Sequence, residues 1–334
     1  MKRNLIVASF AVVGVVMASL LLLQGSAWAQ GESPLTLTVS DGEHKAHIFP
    51  TVSRAAQLGI PAADTGPLLY HAGGPVMTGA ILLYNIYWVP AHLQNGNPTS
   101  MSTHYKNVQT NLLHDYPEHG IGNNNTQYYQ TIGEVTTYIY NRPNGYVTYL
   151  DTNPYPASGC TDPATPGNCI IDAQIQTEIQ RVMTLNHWTG GLNKMFLLFT
   201  SSGEGSCFDA GGSSCAYTQY CAYHGAFGSA PVVYSNEPYG DPSVCSAGGP
   251  FPTGDAAADT AVGTATHELT EALTDPELNA WYSALGNEIG DLCAYDYGTN
   301  TWDSGQANQM WYGHFYEIQQ EYDNHVGGCV QVGP

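Results

Sequence analysis

The chain has 334 residues, a formal net charge of −20 at pH 7 and a hydrophobic fraction of 43%. This length suits one large domain or two closely packed lobes. The negative charge excludes nucleic acids and anionic membrane surfaces as favoured partners, because both repel an acidic surface.

The N-terminus has the three parts of a secretory signal peptide. Lys2 and Arg3 precede an apolar run over 5–23, and Ala27 and Ala29 put small residues where a signal peptidase cuts. We expect residues 1–29 to be removed and the mature protein to be secreted or periplasmic. An uncleaved membrane anchor is the alternative, because the run is nearly long enough to span a bilayer.

Residues 30–66 are polar and contain prolines, which is typical of a lead-in or a pro-segment. The alternating run over 35–39 is a candidate edge strand. His44 and His47 lie three residues apart without a ligand spacing, so the simplest expectation is that solvent surrounds both. Residues 67–334 are predicted to form a single α/β domain of two packed lobes.

Strand and helix patterns follow one another along this domain. Strands are predicted at 77–89, 194–200 and 231–234, a hairpin at 135–150, and helices at 100–116, 171–188 and 256–274. The Gly/Ser/Cys-rich stretch 201–228 is predicted to be a loop, and Pro276 ends the last helix. The fold class is therefore α/β (α+β), with a mixed twisted sheet, a helix at 256–274 and a loop-rich, disulfide-stapled C-terminal part.

Eight cysteines in an exported chain indicate disulfides rather than a thiolate metal site. Their order predicts four local pairs: Cys160 with Cys169, Cys207 with Cys215, Cys221 with Cys245, and Cys293 with Cys329.

The most informative motif is His267-Glu268-Leu269-Thr270-Glu271 on the predicted helix at 256–274. His267 and Glu271 are four residues apart and share one helix face, so both can reach one ion. The motif has the form of the HExxH helix of zincin metallopeptidases, with the second histidine replaced by glutamate. In that scheme Glu268 is the general base that takes a proton from a metal-activated water.

A further ligand is expected downstream of this helix. Glu288 and Asp291 lie in a segment that loosely resembles the third-ligand segment of thermolysin-like enzymes; Glu288 is the favoured ligand, and the reverse assignment with Asp291 stays open. Glu277 is a third possibility, although Pro276 next to it also suits a helix stop. His224, between Cys221 and Gly225, is a candidate second imidazole or transition-state donor.

His314 and Tyr312 are weaker candidates for the role of His224. One histidine with two carboxylates leaves little net charge on a divalent ion. Zinc is the expected metal, and calcium or manganese is possible because both are harder ions that accept carboxylates.

Several blocks resemble the EXORDIUM (phosphate-induced protein) family, in the order in which that family has them. They are Gly73–Gly79, Phe196–Ser201, Tyr220–Gly225, His267–Glu271, Asn279–Tyr282, Glu288–Cys293 and Gln319–Cys329. The resemblance implies an extracellular protein associated with the cell wall and a zincin-like fold. It also implies that His224, His267, Glu268, Glu271, Glu288 and Asp291 are shared site candidates.

Two functions remain open at this point. The first is a secreted metal-dependent hydrolase, most simply a zincin-type endopeptidase that acts on protein or peptide substrates. The second is a non-catalytic extracellular binding or signalling protein of the EXORDIUM type with a structural metal site. Cell-wall polysaccharide is a possible partner in either case.

Overall fold

A computed structural model describes residues 37–333 of the chain. The predicted signal peptide, its cleavage site and the first two residues of the run at 35–39 lie outside the described residues. Within 37–333, no helix is both long and apolar enough to cross a bilayer.

Most of the structure is organised around one seven-stranded mixed sheet. The strands, in chain order, are β1 (Thr38–Ser40), β2 (Lys45–Pro50), β3 (Leu69–Tyr70), β4 (Ile81–Trp88), β5 (Tyr129–Ile132), β6 (Val135–Tyr138), β7 (Pro143–Asp151), β8 (Cys169–Ile171), β9 (Lys194–Thr200), β10 (Gly205–Cys207), β11 (Tyr220–Phe227), β12 (Val232–Glu237), β13 (Trp281–Tyr282), β14 (Gln309–Trp311), β15 (His314–Tyr316), β16 (Glu321–Asp323) and β17 (Gly328–Val330). The sheet has the order β1-β2-β11-β12-β9-β4-β7. Its β12, β9, β4 and β7 pair in parallel, and β1, β2 and β11 add an antiparallel half.

Helices cover both faces of this sheet. They are α1 (Val52–Leu58), α2 (Thr103–Asp115), α3 (Gly120–Asn124), α4 (Asp172–Asn186), α5 (Pro242–Cys245) and α6 (Ala256–Thr274). The side chains of β4 and β9 alternate between two apolar layers, so that Leu197 faces α2 and α6 while Phe196 faces α4. The architecture is thus α/β/α in layers, with α4 on the face opposite α2 and α6.

Most of the predicted elements are confirmed. The structure has β4 and β9 where strands are predicted, with β9 in the middle of the sheet, and α2, α4 and α6 where helices are predicted. α6 has the predicted bounds, because Asp255 caps its first turn and Pro276 follows its last residue. The four predicted disulfides are also present.

The hairpin predicted at 135–150 is wrong. β6 pairs with β5, whereas β7 lies parallel to β4 at the edge of the main sheet. The helical crossover through α2 returns the chain to the sheet in the same direction as β4, and this long-range pairing outweighs the turn residues at 141–145.

The loop predicted at 201–228 is also wrong, because it contains β10 and the buried strand β11. Inward positions of β11 carry cysteine, tyrosine and histidine, whereas a buried strand is recognised in a sequence mainly by its aliphatic residues. The lead-in differs from expectation as well, since β1 and β2 belong to the main sheet and residues 46–50 are buried.

Candidate metal centre

Seven ionisable side chains from four segments meet beside α6. They are His47 of β2, His224 of β11, His267, Glu268 and Glu271 of α6, and Glu288 and Asp291 of the following loop; we call them the buried cluster. Each is at most 2% exposed. All six sequence-predicted residues that the EXORDIUM resemblance implies are therefore brought together, and His47 joins them.

The two strand histidines are direct cross-strand partners. His224 of β11 stands opposite His47 of β2 in the antiparallel register, with ring centroids 6.0 Å apart. Gly225 permits this pairing, because a Cβ at that position would lie 2.8 Å from the carbonyl oxygen of Lys45. The register therefore places two imidazoles on the face of the sheet that α6 covers.

A second close approach brings the loop onto α6. A Cβ on Gly290 would lie 2.5 Å from His267 Nδ1 and 3.0 Å from Glu271 Oε1, so this position excludes a side chain. The backbone N–H of Asp291 donates to Glu271 Oε1 at 3.2 Å. The glycine thus allows Glu288 and Asp291 to reach the helix.

His224 has the hydrogen bonding of a metal ligand. Its Nδ1 lies 3.0 Å from Glu268 Oε2, and a proton on Nδ1 leaves the lone pair on Nε2. Among the described residues, Nε2 has no hydrogen-bond partner. It lies 3.7 Å from Glu288 Oε2, and His224 Nδ1 lies 3.7 Å from Glu271 Oε2. Glu268 therefore fixes the orientation of this ring.

His267 has the opposite hydrogen bonding. The side-chain Oε1 of Gln319 accepts the backbone N–H of Tyr295. The side-chain nitrogen Nε2 of Gln319 must therefore donate, and this atom lies 2.8 Å from the carbonyl oxygen of Gly290 and 3.0 Å from His267 Nδ1. An Nδ1 that accepts a hydrogen bond leaves the proton of a neutral ring on Nε2. That Nε2 lies 3.1 Å from Glu271 Oε1. Like Nε2 of His224, it has no hydrogen-bond partner within 37–333, so His267 keeps its sequence-predicted place among the candidate ligands beside Glu271.

His47 lies between the two loop carboxylates. Its Nε2 is 2.7 Å from Asp291 Oδ2, and its Nδ1 is 3.3 Å from Glu288 Oε1. Asp291 Oδ2 also accepts the backbone N–H of Glu288 at 2.8 Å. Asp291 therefore holds both the turn of the loop and the histidine of β2.

Burial dominates the electrostatics of the cluster. It raises the pKa of Glu268, Glu271 and Glu288 well above the ordinary value, and neighbouring carboxylates add to the effect. Burial also lowers the pKa of His267 to about 4 and that of His224 well below its ordinary range.

His47 differs from the other two histidines. Burial alone would lower its pKa, but the adjacent carboxylates of Asp291 and Glu271 raise it overall. The ion pairs of the four cluster carboxylates within 37–333 involve histidines alone. The cluster thus contains four carboxyl groups that form no ion pair with a Lys or Arg of the described residues.

The donor atoms of the cluster fit a divalent cation. In the described part of the chain, Glu268 Oε1, Glu271 Oε2, Glu288 Oε2, Asp291 Oδ1 and His224 Nε2 have no hydrogen-bond partner although they are buried. One ligand atom each from His224, Glu271 and Glu288 lies within 4.8 Å of the others, as does one each from His47, Glu271 and Asp291. Tetrahedral zinc places its ligand atoms about 3.3 Å apart, so a small contraction of this group would suit the ion.

The remaining candidates lie elsewhere. Glu277 is exposed, His314 Nδ1 lies 2.7 Å from Asp115 Oδ2, and Tyr312 is 62% exposed.

Sequence reasoning missed His47, Gln319 and Glu321. Glu321 is fully buried, and neither of its carboxylate oxygens has a hydrogen-bond partner within the described range. The alternation of β2 could have indicated that His47 faces inward.

Comparisons of the chain with protein-family models, with curated proteins and with solved structures found no match. The resemblance to the EXORDIUM family therefore stays a prediction that rests on the sequence blocks.

Proposed function

We propose that this protein is a secreted metal-dependent hydrolase of zincin type, with an endopeptidase activity on protein or peptide substrates. The observation that supports this proposal is the convergence of unpartnered donor atoms from His224, Glu271 and Glu288 in a buried site without Lys or Arg ion pairs among the described residues. Burying several carboxylates without a cation is costly, and a divalent ion offsets that cost.

A divalent ion held by these three residues supplies a Lewis acid and makes a bound water more acidic. Glu268 Oε2 holds His224, while Glu268 Oε1 remains free of hydrogen bonds within 37–333. Burial and the charge of Glu271 raise the pKa of Glu268 in the metal-free protein. The free Oε1 beside the ligand residues supports Glu268 as the group that would accept a proton when the ion is bound.

The ligand set suits zinc first. One imidazole and two carboxylates match a borderline ion. Asp291, which forms a second group of candidate ligands with His47 and Glu271, would add an oxygen for the harder manganese or calcium ions. The signal-like N-terminal sequence, the strongly acidic charge and the resemblance to the EXORDIUM family support a substrate outside the cell other than nucleic acid.

The proposal is tested on purified mature protein. We expect about one divalent ion per chain by plasma mass spectrometry after dialysis, and hydrolysis of a denatured protein substrate that a chelator abolishes. Glu268→Gln should lower that hydrolysis by at least about a hundredfold, because a general base contributes this much. Glu277→Gln, an exposed carboxylate ten residues after His267, is the matched control and should retain full activity.

A second candidate function is favoured by the closure of the site. With each member of the cluster at most 2% exposed, an ion there would be structural in a non-catalytic binding protein. In that case Glu268→Gln retains the ion and leaves binding to cell-wall polysaccharide unchanged. Bound metal without any chelator-sensitive hydrolysis in the mature chain would favour this second candidate.

A further inference from the structure

The closure of the buried cluster depends on the N-terminal strand β2. His47 lies between Asp291 and Glu288, and Phe49, two residues later, stacks on the ring of His267 with centroids 4.0 Å apart. Residues i and i+2 of a strand share one face. A single strand therefore places one potential ligand and one aromatic cover over the site.

β2 is the second strand from the antiparallel edge of the sheet. Beyond it lies only the short strand β1, so without this hairpin β11 would be the outer strand. The backbone N–H and C=O groups of β11 around His224 would then be open to another extended chain, which can add to a sheet edge by main-chain hydrogen bonds. Gly225 allows the backbone of such a chain to approach closely, as it allows that of β2.

The N-terminal segment is attached without covalent cross-links. All eight cysteines lie at position 160 or later, so no disulfide joins residues 37–66 to the rest of the chain. The segment is held by three polar contacts: the pairing of β2 with β11, a hydrogen bond from the hydroxyl of Tyr295 to the carbonyl oxygen of Pro50 at 2.7 Å, and one from the side-chain amide of Asn287 to Asp64 at 2.9 Å. It also buries apolar side chains in the cluster that includes α4: Leu37, Ala46, Ile48, Phe49, Ala55 and Ile60. Its connection to the body contains the exposed residues Ala62 and Ala63.

We infer that β2 is an intramolecular pseudo-substrate, which lies in the groove where an extended peptide binds and which closes the metal centre with His47 and Phe49. This inference rests on the proposed function and names the substrate of that site as an extended polypeptide that pairs antiparallel with β11. Cleavage between Ala62 and Ala63 by an endopeptidase, in which water adds across the peptide bond to give a carboxylate and an amine, releases the segment and opens the site.

The test replaces residues 61–63 with the recognition sequence of a site-specific protease. The full chain is loaded with cobalt, cut by the protease and separated from the N-terminal fragment by gel filtration. The rate at which dipicolinate removes the cobalt ion is measured for the uncut and for the cut protein. Loss of the N-terminal fragment should raise that rate roughly tenfold or more, because the ion loses the groups that shield it. A synthetic peptide of residues 37–60 should restore slow removal.

Two controls distinguish the loss of the β2 contacts from a loss of the whole fold. The same peptide with His47→Ala should fail to restore slow removal, whereas a His44→Ala peptide, altered at a half-buried position in the turn before β2, should succeed. Circular dichroism of the cut protein should retain the thermal transition of the folded chain. Unfolding after the fragment leaves, or an unchanged removal rate after its loss, would overturn the inference.

The result also separates this inference from the proposed function. If the uncut chain binds no cobalt, the metal centre itself fails and the strand has nothing to close. If the uncut chain binds cobalt but cutting leaves ion removal unchanged, only the role of β2 fails.

Discussion

α4 and α6 cover opposite faces of the same sheet, but they bury different kinds of side chain. α4 buries an apolar stripe of Ile175, Ile179 and Val182, and its buried carboxylates Asp172 and Glu178 have hydrogen-bond partners. α6 is buried from Ala258 to Thr274, and its middle carries the ionisable residues of the cluster. The difference teaches that the α4 face stabilises the fold by apolar burial, whereas the α6 face buries unpartnered ionisable groups at a cost that the proposed metal ion would offset.

The largest expected effect is that of the metal on the α6 face. Zinc at about a thousandfold excess over its dissociation constant should raise the free energy of unfolding by about 4 kcal/mol, because the ion binds the folded state. Guanidinium denaturation with zinc and with chelator measures the difference. Glu271→Ala should remove most of it; an equal gain in this variant would contradict the ligand role of Glu271.

On the α4 face the metal should have no influence. Ile179→Ala removes a fully buried side chain and should lower the free energy of unfolding by about 3 kcal/mol, equally with zinc and with chelator. Leu185→Ala on the same helix is the control; Leu185 is 58% exposed, so its truncation should change the stability little. A metal-dependent loss in Ile179→Ala would show that the two faces are coupled.

The close approach at Gly290 should give a smaller effect. The methyl group of Gly290→Ala would meet His267 Nδ1 and Glu271 Oε1, so overpacking should cost about 2 kcal/mol and weaken zinc binding in calorimetry. Gly328→Ala, where the added carbon meets open space, is the matched substitution and should leave both quantities unchanged. Equal behaviour of the two variants would argue against the packing of the loop on α6.

The effect that is smallest per unit of the variable changed is the pH dependence of the metal-free protein, at most about 1.4 kcal/mol per pH unit. Burial raises the pKa of Glu237, which accepts a hydrogen bond from Thr264 of α6, from an ordinary 4.5 to about 8. Between these values the folded state holds a proton that the unfolded state has released, so stability is greatest below pH 4.5 and falls as the pH rises to 8.

Glu237→Gln should flatten this decline by up to about 1.4 kcal/mol per pH unit. Thermal unfolding in chelator at several pH values between 5 and 8 measures the slope. A slope that is the same in the variant and in the wild type would show that Glu237 does not carry the effect.

The same contrast explains what the sequence could predict. α4 and α6 were predictable because their apolar periodicity and caps are local, and the pairs of cysteines are neighbours along the chain. The α6 part of the site was predictable because His267, Glu268 and Glu271 lie within one helical turn and a half.

The rest of the site could not be predicted for a physical reason. His47 enters through a strand pairing with a distant segment, and the tautomer of His267 depends on Gln319, which no local spacing connects to α6. The hairpin error at 135–150 has the same origin, because the choice between two partners of β7 is made by the whole sheet. Local patterns therefore indicate the helix of the site but not the side chains that surround it.

The contact between His47 and Asp291 joins residues 244 positions apart. Contacts of such long sequence separation form slowly, since the entropy of closing the intervening loop must be lost first. His47 can therefore meet its carboxylates only after the chain has been synthesised as far as residues 288–291. The site thus cannot assemble on a shorter, partly synthesised chain.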